Sequence, residues 1–344
     1  ILFMCPPSAI NISPVFRGPT TPAAVCFQVI RLKQPVTRTH LFQHSTHSQP
    51  TIARAVTALI DAHLVRERPD KIVAEGPGRP KIPLEMTPTP WVHVGVALGT
   101  KSTYLGIYGT RGQLLREQFV EITPAKHRMS AFIAEIIPHI NAMVASTQLP
   151  LANIGISASG VVREQKFITA PNLGWDGEDI VTPFARLFDV PITVASVVEA
   201  IAGAEQQTQE PPLRPTGSEP LADHRGLIFY VDDTTGAAIH TRTSVESIDL
   251  NIGKYPTLAA AALDLTARTE PDTVVLAGSA FAHRADTQVV GRALQEIGGV
   301  EVRVIPTHID NARAAARALA LSGLLTNPLT FSKQLSLLID EYAI

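Results

Sequence analysis

The N-terminal part of the chain takes its fold from residues 48–60, which read SQPTIARAVTALI. Ser48 is a typical N-cap residue, and Pro50 suits the first turn of a helix, where its missing N–H costs little. Apolar residues then recur every three or four positions from Ile52 to Ile60, which predicts a helix with one apolar stripe. The polar residues at its start are left to face outward.

Two segments before this helix complete a recognisable pattern. Thr21-Pro22 opens a predicted helix that Pro35 ends, and Thr37 caps a second one that runs to about His44. A short polar turn then leads to Ser48. Two short helices joined by a tight turn are typical of a helix-turn-helix, whose second helix enters the major groove of DNA.

Four side chains at the start of the third helix are the candidate DNA contacts. Gln49 can pair with adenine and Arg54 with guanine, whereas Thr51 can contact a thymine methyl group or a phosphate. Ser48 stands beside them at the cap. An ordinary three-helix core with a polar outer face would show the same pattern, so the pattern alone leaves both interpretations open.

A predicted wing and a basic linker follow the three helices. Val65–Arg68 has the pattern of a short strand, and Lys71–Ala74 is predicted to be its return. Residues 75–81 read EGPGRPK, a stiff segment from which Arg79 can enter a narrow minor groove. A plain interdomain linker is the alternative.

Composition and charge agree with a multidomain globular chain. It has 344 residues, of which 45% are hydrophobic and 17% charged, and no apolar run is long enough for a membrane span. Cys5 and Cys26 make neither a disulfide framework nor a four-ligand zinc site, so a reducing cytoplasm is the expected location. Between Arg31 and Lys81, nine basic residues face four acidic ones, a net +5, whereas the remainder carries −7. This asymmetry favours double-stranded DNA as the partner of the first part.

These segments and most of the chain after them, to about residue 325, resemble transcription regulators of the ROK (repressor, open reading frame, kinase) family. The matching stretches are the third helix, the His63-Leu64-Val65 junction, the Gly78-Arg79-Pro80 linker and, most specifically, APNLGW at 170–175. The resemblance implies an α/β chain with a winged helix-turn-helix followed by a two-lobed actin-like (ribonuclease H-like) sugar-kinase fold. It divides the chain into a DNA-binding domain at 17–86, lobes at 91–200 and 201–310, and C-terminal helices at 311–344 that pack back on the body.

The residues that the family's kinases use for phosphoryl transfer are replaced. Their Asn-Asp pair aligns with Ser196 and Val197, and valine cannot accept a proton. The first phosphate loop, at 97–101, lacks its Asp, and the second begins with Asp232-Asp233, which would repel phosphate unless a cation intervened. We expect a solvated strand end there rather than a magnesium site. No cysteine follows Cys26, so the family's zinc signature is absent. The resemblance therefore implies no enzyme activity, no cofactor and no metal.

The same mapping implies an effector site. Ser159, Asn172, Ser196 and Glu199 fall at or beside the family's sugar contacts, and the Asn172 amide can both donate to and accept from a hydroxyl. We therefore expect a homodimer, or a dimer of dimers, that represses carbohydrate-related genes in response to a sugar or sugar phosphate. Two alternatives stay open: a working sugar kinase with a DNA-binding head, and a constitutive DNA-binding protein whose body only dimerises.

Overall fold

A computed structural model describes residues 15–72, 81–88, 91–122, 124–214 and 223–342. The N-terminal unit, here called the head, contains three helices and a two-stranded sheet. The helices are α1 (Pro22–Lys33), α2 (Arg38–Gln43) and α3 (Gln49–Asp61), and the strands are β1 (Val65–Glu67) and β2 (Leu84–Met86). The side chains of Thr21, Thr37 and Ser48 each accept a hydrogen bond from the backbone N–H three residues on, which confirms all three predicted caps.

The wing differs from the sequence prediction in its second strand. β1 pairs antiparallel with β2, whereas Lys71, a described residue of the predicted return, ends a single 3-10 turn and reaches out to Glu85. The physical reason is burial, since Leu84 and Met86 are fully buried beneath the helices. Leu84 also exchanges both backbone hydrogen bonds with Val36. Residues 73–80, which include Arg79, lie outside the described residues.

The first lobe is built on a mixed five-stranded sheet. Its strand order is β5-β4-β3-β6-β10, with antiparallel pairs on the β5 side and parallel pairs on the β10 side. A small antiparallel sheet, β7-β8-β9, branches from the end of β6. The elements are β3 (Val92–Leu98), β4 (Thr103–Tyr108), β5 (Leu114–Val120), α4 (Met129–Ala145), β6 (Leu151–Ala158), β7 (Val161–Arg163), β8 (Phe167–Ala170), β9 (Trp175–Asp179), α5 (Val181–Phe188), β10 (Ile192–Ser196) and α6 (Val197–Thr208).

The second lobe repeats the topology of the first. Its strand order is β13-β12-β11-β14-β15, again with two antiparallel pairs followed by two parallel pairs. The elements are β11 (Gly226–Val231), β12 (Thr235–His240), β13 (Val245–Ile248), α7 (Leu258–Thr269), β14 (Thr273–Ala277), α8 (Arg284–Ile297) and β15 (Glu301–Ile305). The sequence analysis did not anticipate β13, which is short and mostly exposed.

Two C-terminal helices tie the units together. α9 (His308–Thr326) lies across β3 and β6 of the first lobe and against α6, and α10 (Pro328–Tyr342) contacts α1 and α3 of the head. Gly95 and Gly155 permit this approach, because a Cβ at either position would lie 2.3–2.4 Å from the backbone of α9. Within the described part of the chain, no helix combines the length and apolarity that a membrane crossing requires.

Candidate nucleic-acid interface and interlobe cleft

The first turns of α3 present the predicted DNA-contacting side chains together. Ser48, Gln49 and Arg54 are exposed, and Thr51 is half-buried with its Oγ1 2.9 Å from Oγ of Ser48. Arg54 makes no hydrogen bond or ion pair with any residue that the structure describes. Beneath them, Ile52, Val56 and Leu59 are buried in the head core. The guanidinium of Arg54 and the amide of Gln49 are therefore accessible to another molecule.

The wing concentrates its basic side chains around one carboxylate. Glu85 accepts hydrogen bonds from Arg68 and Lys71, and Arg66 lies 3.7 Å away. The hydrogen bond from Lys71, and then that from Arg68, holds the pKa of Glu85 below its ordinary value against the opposing effect of burial. The side chain of Glu85 is only 9% exposed, whereas those of its three partners are 21–45% exposed. The cations therefore remain accessible while their charge is partly neutralised.

A segment of the two-lobed body, which follows the head in the chain, contacts the turn between α2 and α3. Residues 209–214, here called the strap, follow α6. The guanidinium of Arg214 donates to the carbonyls of Thr46 at 3.4 Å and His47 at 3.1 Å and lies 4.2 Å above the ring of Phe42. His44 Nδ1 lies 2.8 Å from the carbonyl of Pro211. The strap thus holds the residues directly before the α3 cap.

This contact was not predicted, because the polar, Pro-rich stretch at 206–223 has the composition of a loop between lobes. Gln206 and Gln207 instead belong to α6 and are buried, with the Gln207 amide donating to the carbonyl of Ala318 at 2.8 Å. No signal in the sequence indicated the position of Arg214, because its partners are backbone carbonyls, which leave no pattern of residue types.

Three loops meet between the lobes. Thr100, after β3, donates to Asp233, after β11. Ser279, after β14, donates to Asp232 at 2.7 Å, and His308 Nδ1 lies 2.9 Å from the same carboxylate. Through the carboxylates of Asp232 and Asp233, these contacts join the loops to one another.

Asp232 is not a solvated strand end, which corrects the sequence expectation. Its side chain is 6% exposed. Burial alone would raise its pKa, but hydrogen bonds from His308 and Ser279 outweigh that effect and lower it to about 2. Among the described residues, no group of three His, Cys, Asp or Glu side chains is placed to hold a metal ion.

The cleft beside these loops is small. Tyr104, Phe119, Val197 and Tyr230 are among its lining residues, and its volume is about 40 Å³. That space suits roughly one to three water molecules, whereas small-molecule sites typically measure about 300–1,000 Å³.

Comparison with known proteins connects this geometry to a family. Residues 93–211 match the sequence pattern of the ROK family. Residues 93–211 form a ROK family domain. Over 219 residues, the chain is 28% identical to proteins named transcriptional regulators in Mycobacterium bovis and Mycobacterium tuberculosis. The alignment covers 63% of this chain and 48% of each relative, so it spans about half the length of those relatives.

The fold has a counterpart of nearly the same extent. A crystal structure described as a ROK family transcriptional regulator, homolog of the E. coli MLC protein, superposes with a TM-score of 0.60 at 15% identity. The match covers 90% of this chain and 98% of that one. This match confirms the predicted fold, a two-lobed actin-like body. The three-helix head precedes this body in the chain.

The predicted effector residues lie at one edge of the ROK domain. β6 and β10 end side by side, with Ala158 paired to Ser196, so Ser159 and Ser196 are neighbours there. Asn172 donates from Nδ2 to Oγ of Ser159 at 2.8 Å, and its buried Oδ1 has no protein partner in the described residues. This amide oxygen is free to accept a hydrogen bond.

The other two predicted effector residues of the ROK domain are already engaged with each other. Ser196 and Glu199 form a capping box at the start of α6, in which Glu199 Oε2 accepts from both the backbone N–H and the hydroxyl of Ser196. Its Oε1 accepts from Ser247 of the second lobe at 2.8 Å. Glu199 therefore joins α6 to the second lobe.

Proposed function

We propose that this chain is a DNA-binding transcription regulator that reads duplex DNA through α3. The observation that carries the proposal is the exposed start of α3, where Gln49 and Arg54, which has no ion pair with any described residue, project from a capped, well-packed helix. The regulators named among its relatives support it. Gln49 and Arg54 would contact base edges, and Ser48 and Thr51 the adjoining backbone.

The proposed complex is a dimer, or a dimer of dimers, on double-stranded DNA. Two copies of α3 would occupy successive major grooves about 34 Å apart. Arg79 would enter the flanking minor groove, and the wing cations would contact phosphates, so that affinity falls as salt rises. Repression of carbohydrate-related genes is the regulatory output we propose.

We further propose that the ROK domain does not transfer phosphoryl groups. Val197 offers no base, the cleft measures about 40 Å³, and Asp232 and Asp233 stand where phosphates would need donors. A sugar or sugar phosphate contacting Ser159 and Asn172, with Ser196 and Glu199 beside them, would require this edge to open. Asn172 Oδ1, which has no hydrogen-bond partner in the part of the chain that the structure describes, supports that position.

The test of DNA binding compares two exposed arginines. Duplexes selected from a random pool by the full chain are titrated by fluorescence anisotropy with wild type, Arg54→Ala and Arg186→Ala, the last on α5 of the body. Loss of a bidentate base contact costs about 1–3 kcal/mol, so Arg54→Ala should weaken binding about five- to 150-fold. Arg186→Ala should bind as wild type does. Equal affinity of all three proteins would contradict the proposal.

Two further measurements address the rival functions. A coupled ATPase assay over a panel of sugars should show no turnover, and turnover abolished by Asp233→Asn would favour a kinase. Thermal shifts over a metabolite panel should reveal a ligand that raises the unfolding midpoint, since a ligand of the native state stabilises it. Absence of any shift, with DNA binding intact, would favour a constitutive DNA-binding protein.

A further inference from the structure

A cavity of about 260 Å³ lies between the head and the two-lobed body, beneath the strap. We propose that this junction cavity binds a small anionic polyol and that this ligand controls the position of α3. The regulatory half of the proposal rests on the proposed function, whereas binding itself does not. Its lining includes Gln28, Thr46 and His47 of the head and Gln206, Arg214 and Arg242 of the body.

Size favours the junction cavity over the interlobe cleft. Its volume of about 260 Å³ approaches the range of roughly 300–1,000 Å³ typical of small-molecule sites, whereas the cleft offers about 40 Å³. A ligand with the dimensions of one sugar ring can therefore enter the junction without movement of the lobes.

The charge of the lining selects an anion. Arg242 contributes a half-buried guanidinium that pairs with no carboxylate in the described residues, and none of the cavity's lining residues is Asp or Glu. Arg242 also borders a second cavity of about 350 Å³, but Glu205 and Glu210 line that one and would repel a negative group. An anion that binds Arg242 is therefore favoured in the junction cavity over the second cavity.

The neutral groups around Arg242 suit hydroxyl groups. The Gln206 amide nitrogen donates to the carbonyls of Thr241 and Ser244, which leaves its oxygen as an acceptor. The hydroxyls of Thr20, Thr46 and Thr243 add groups that both donate and accept. Together with Arg242, they match a phosphorylated or carboxylated sugar, whose anionic group and hydroxyls need both kinds of contact.

The position of the cavity allows a bound ligand to influence the position of α3. Its head side is formed by residues 44–47, which end directly before the N-cap Ser48, and its body side by the end of α6 and the strap. Arg214 already bridges the two sides through the carbonyls of Thr46 and His47. A molecule bound here contacts both sides, so its affinity depends on the position of the head relative to the body. By linkage, DNA and ligand must then change each other's affinity by the same factor.

The first experiment measures binding without DNA. Isothermal titration calorimetry of the full chain uses glucose 6-phosphate, gluconate and glucose as probes. We expect at least one charged probe to bind at least about tenfold more tightly than glucose, and the comparison of the two distinguishes phosphate from carboxylate. Arg242→Gln should weaken the charged probe at least about tenfold, Arg242→Lys less so, and the exposed Arg186→Ala on α5 not at all. If neither charged probe binds, or if Asn172→Ala rather than Arg242→Gln abolishes binding, the proposed site is wrong.

The second experiment measures coupling. DNA affinity of the wild type should change at least about fivefold at saturating probe, and saturating DNA should change the dissociation constant of the probe by the same factor. Arg242→Gln should retain wild-type DNA affinity without probe and lose the response. Failure of the unliganded chain to bind DNA would count against the proposed function, whereas probe binding with unchanged DNA affinity would refute the control of α3.

Discussion

Replacing Glu85 by Gln should strengthen DNA binding while weakening the head. In the wild type this nearly buried carboxylate accepts hydrogen bonds from Arg68 and Lys71, with Arg66 at 3.7 Å. The substitution keeps the size of the side chain and removes its charge, so three wing cations lose their shared counter-ion. Arg66 and Lys71 then become more available to a phosphate, whereas Arg68 still pairs with Asp70, and the head gains one unit of positive charge.

The magnitude follows from exposure and from counter-ion release. Because the three cations are 21–45% exposed, they stay hydrated after the change, and we expect a loss of about 1–2 kcal/mol in the free energy of unfolding. Each added phosphate contact steepens the plot of log K against log salt by about 0.9. Between 50 and 200 mM salt, one added contact therefore makes the affinity fall about 3.5-fold further.

The assay is fluorescence anisotropy of one duplex at a series of KCl concentrations. Asp264→Asn is the control, because Asp264 pairs with Arg268 on the second lobe and its replacement changes the total charge equally. Asp264→Asn should leave the salt slope unchanged. If Glu85→Gln, shown folded by circular dichroism, gives the same slope as Asp264→Asn, the wing does not contact phosphate and the reasoning fails.

Three other predictions concern stability and the cleft. Burial lowers the pKa of His93 to about 4, so the neutral ring stabilises the fold above pH ~6.5. This stabilisation is lost as the pH falls toward 4. Between pH ~6.5 and 4, the urea unfolding midpoint of His93→Gln should therefore decline less than that of the wild type. Leu321→Ala, at a fully buried position on α9, should cost about 2–5 kcal/mol in urea unfolding, whereas Leu187→Ala, at a 58% exposed position, should cost less than about 0.5 kcal/mol. Val197→Asp should gain no sugar-dependent ATP turnover in a coupled assay, because the cleft of about 40 Å³ admits neither substrate; measurable turnover would contradict that account.

Local chemistry explains what could be predicted from the sequence. Each head helix begins at a hydroxyl residue whose cap needs only the next three residues, so Thr21, Thr37 and Ser48 identified all three helix starts. The strands β3 and β6 are buried on both sides and therefore appear as apolar runs. The candidate DNA contacts followed from α3 alone, since the stripe that buries Ile52 and Val56 fixes which residues face outward.

Features set by distant contacts could not be predicted in the same way. The return of the wing was assigned to 71–74, because nothing local shows that Leu84 would pair with both Val36 and Glu67. The burial of Asp232 depends on His308, 76 residues away. Arg214 recognises the shape of a turn through its carbonyls, and any residue sequence in that turn would offer the same acceptors.

The way α9 and α10 complete the head has a consequence for synthesis on the ribosome. Leu321, Leu324 and Phe331 belong to the same apolar cluster as Phe27 and Leu59, so the interior of the head is completed only after residues far along the chain have been made. A nascent chain that has not reached residue 331 exposes that interior and cannot hold α3 in its final place. The DNA binding proposed above is thereby withheld until residue 331 has been made, and products terminated before that residue would not compete with longer chains.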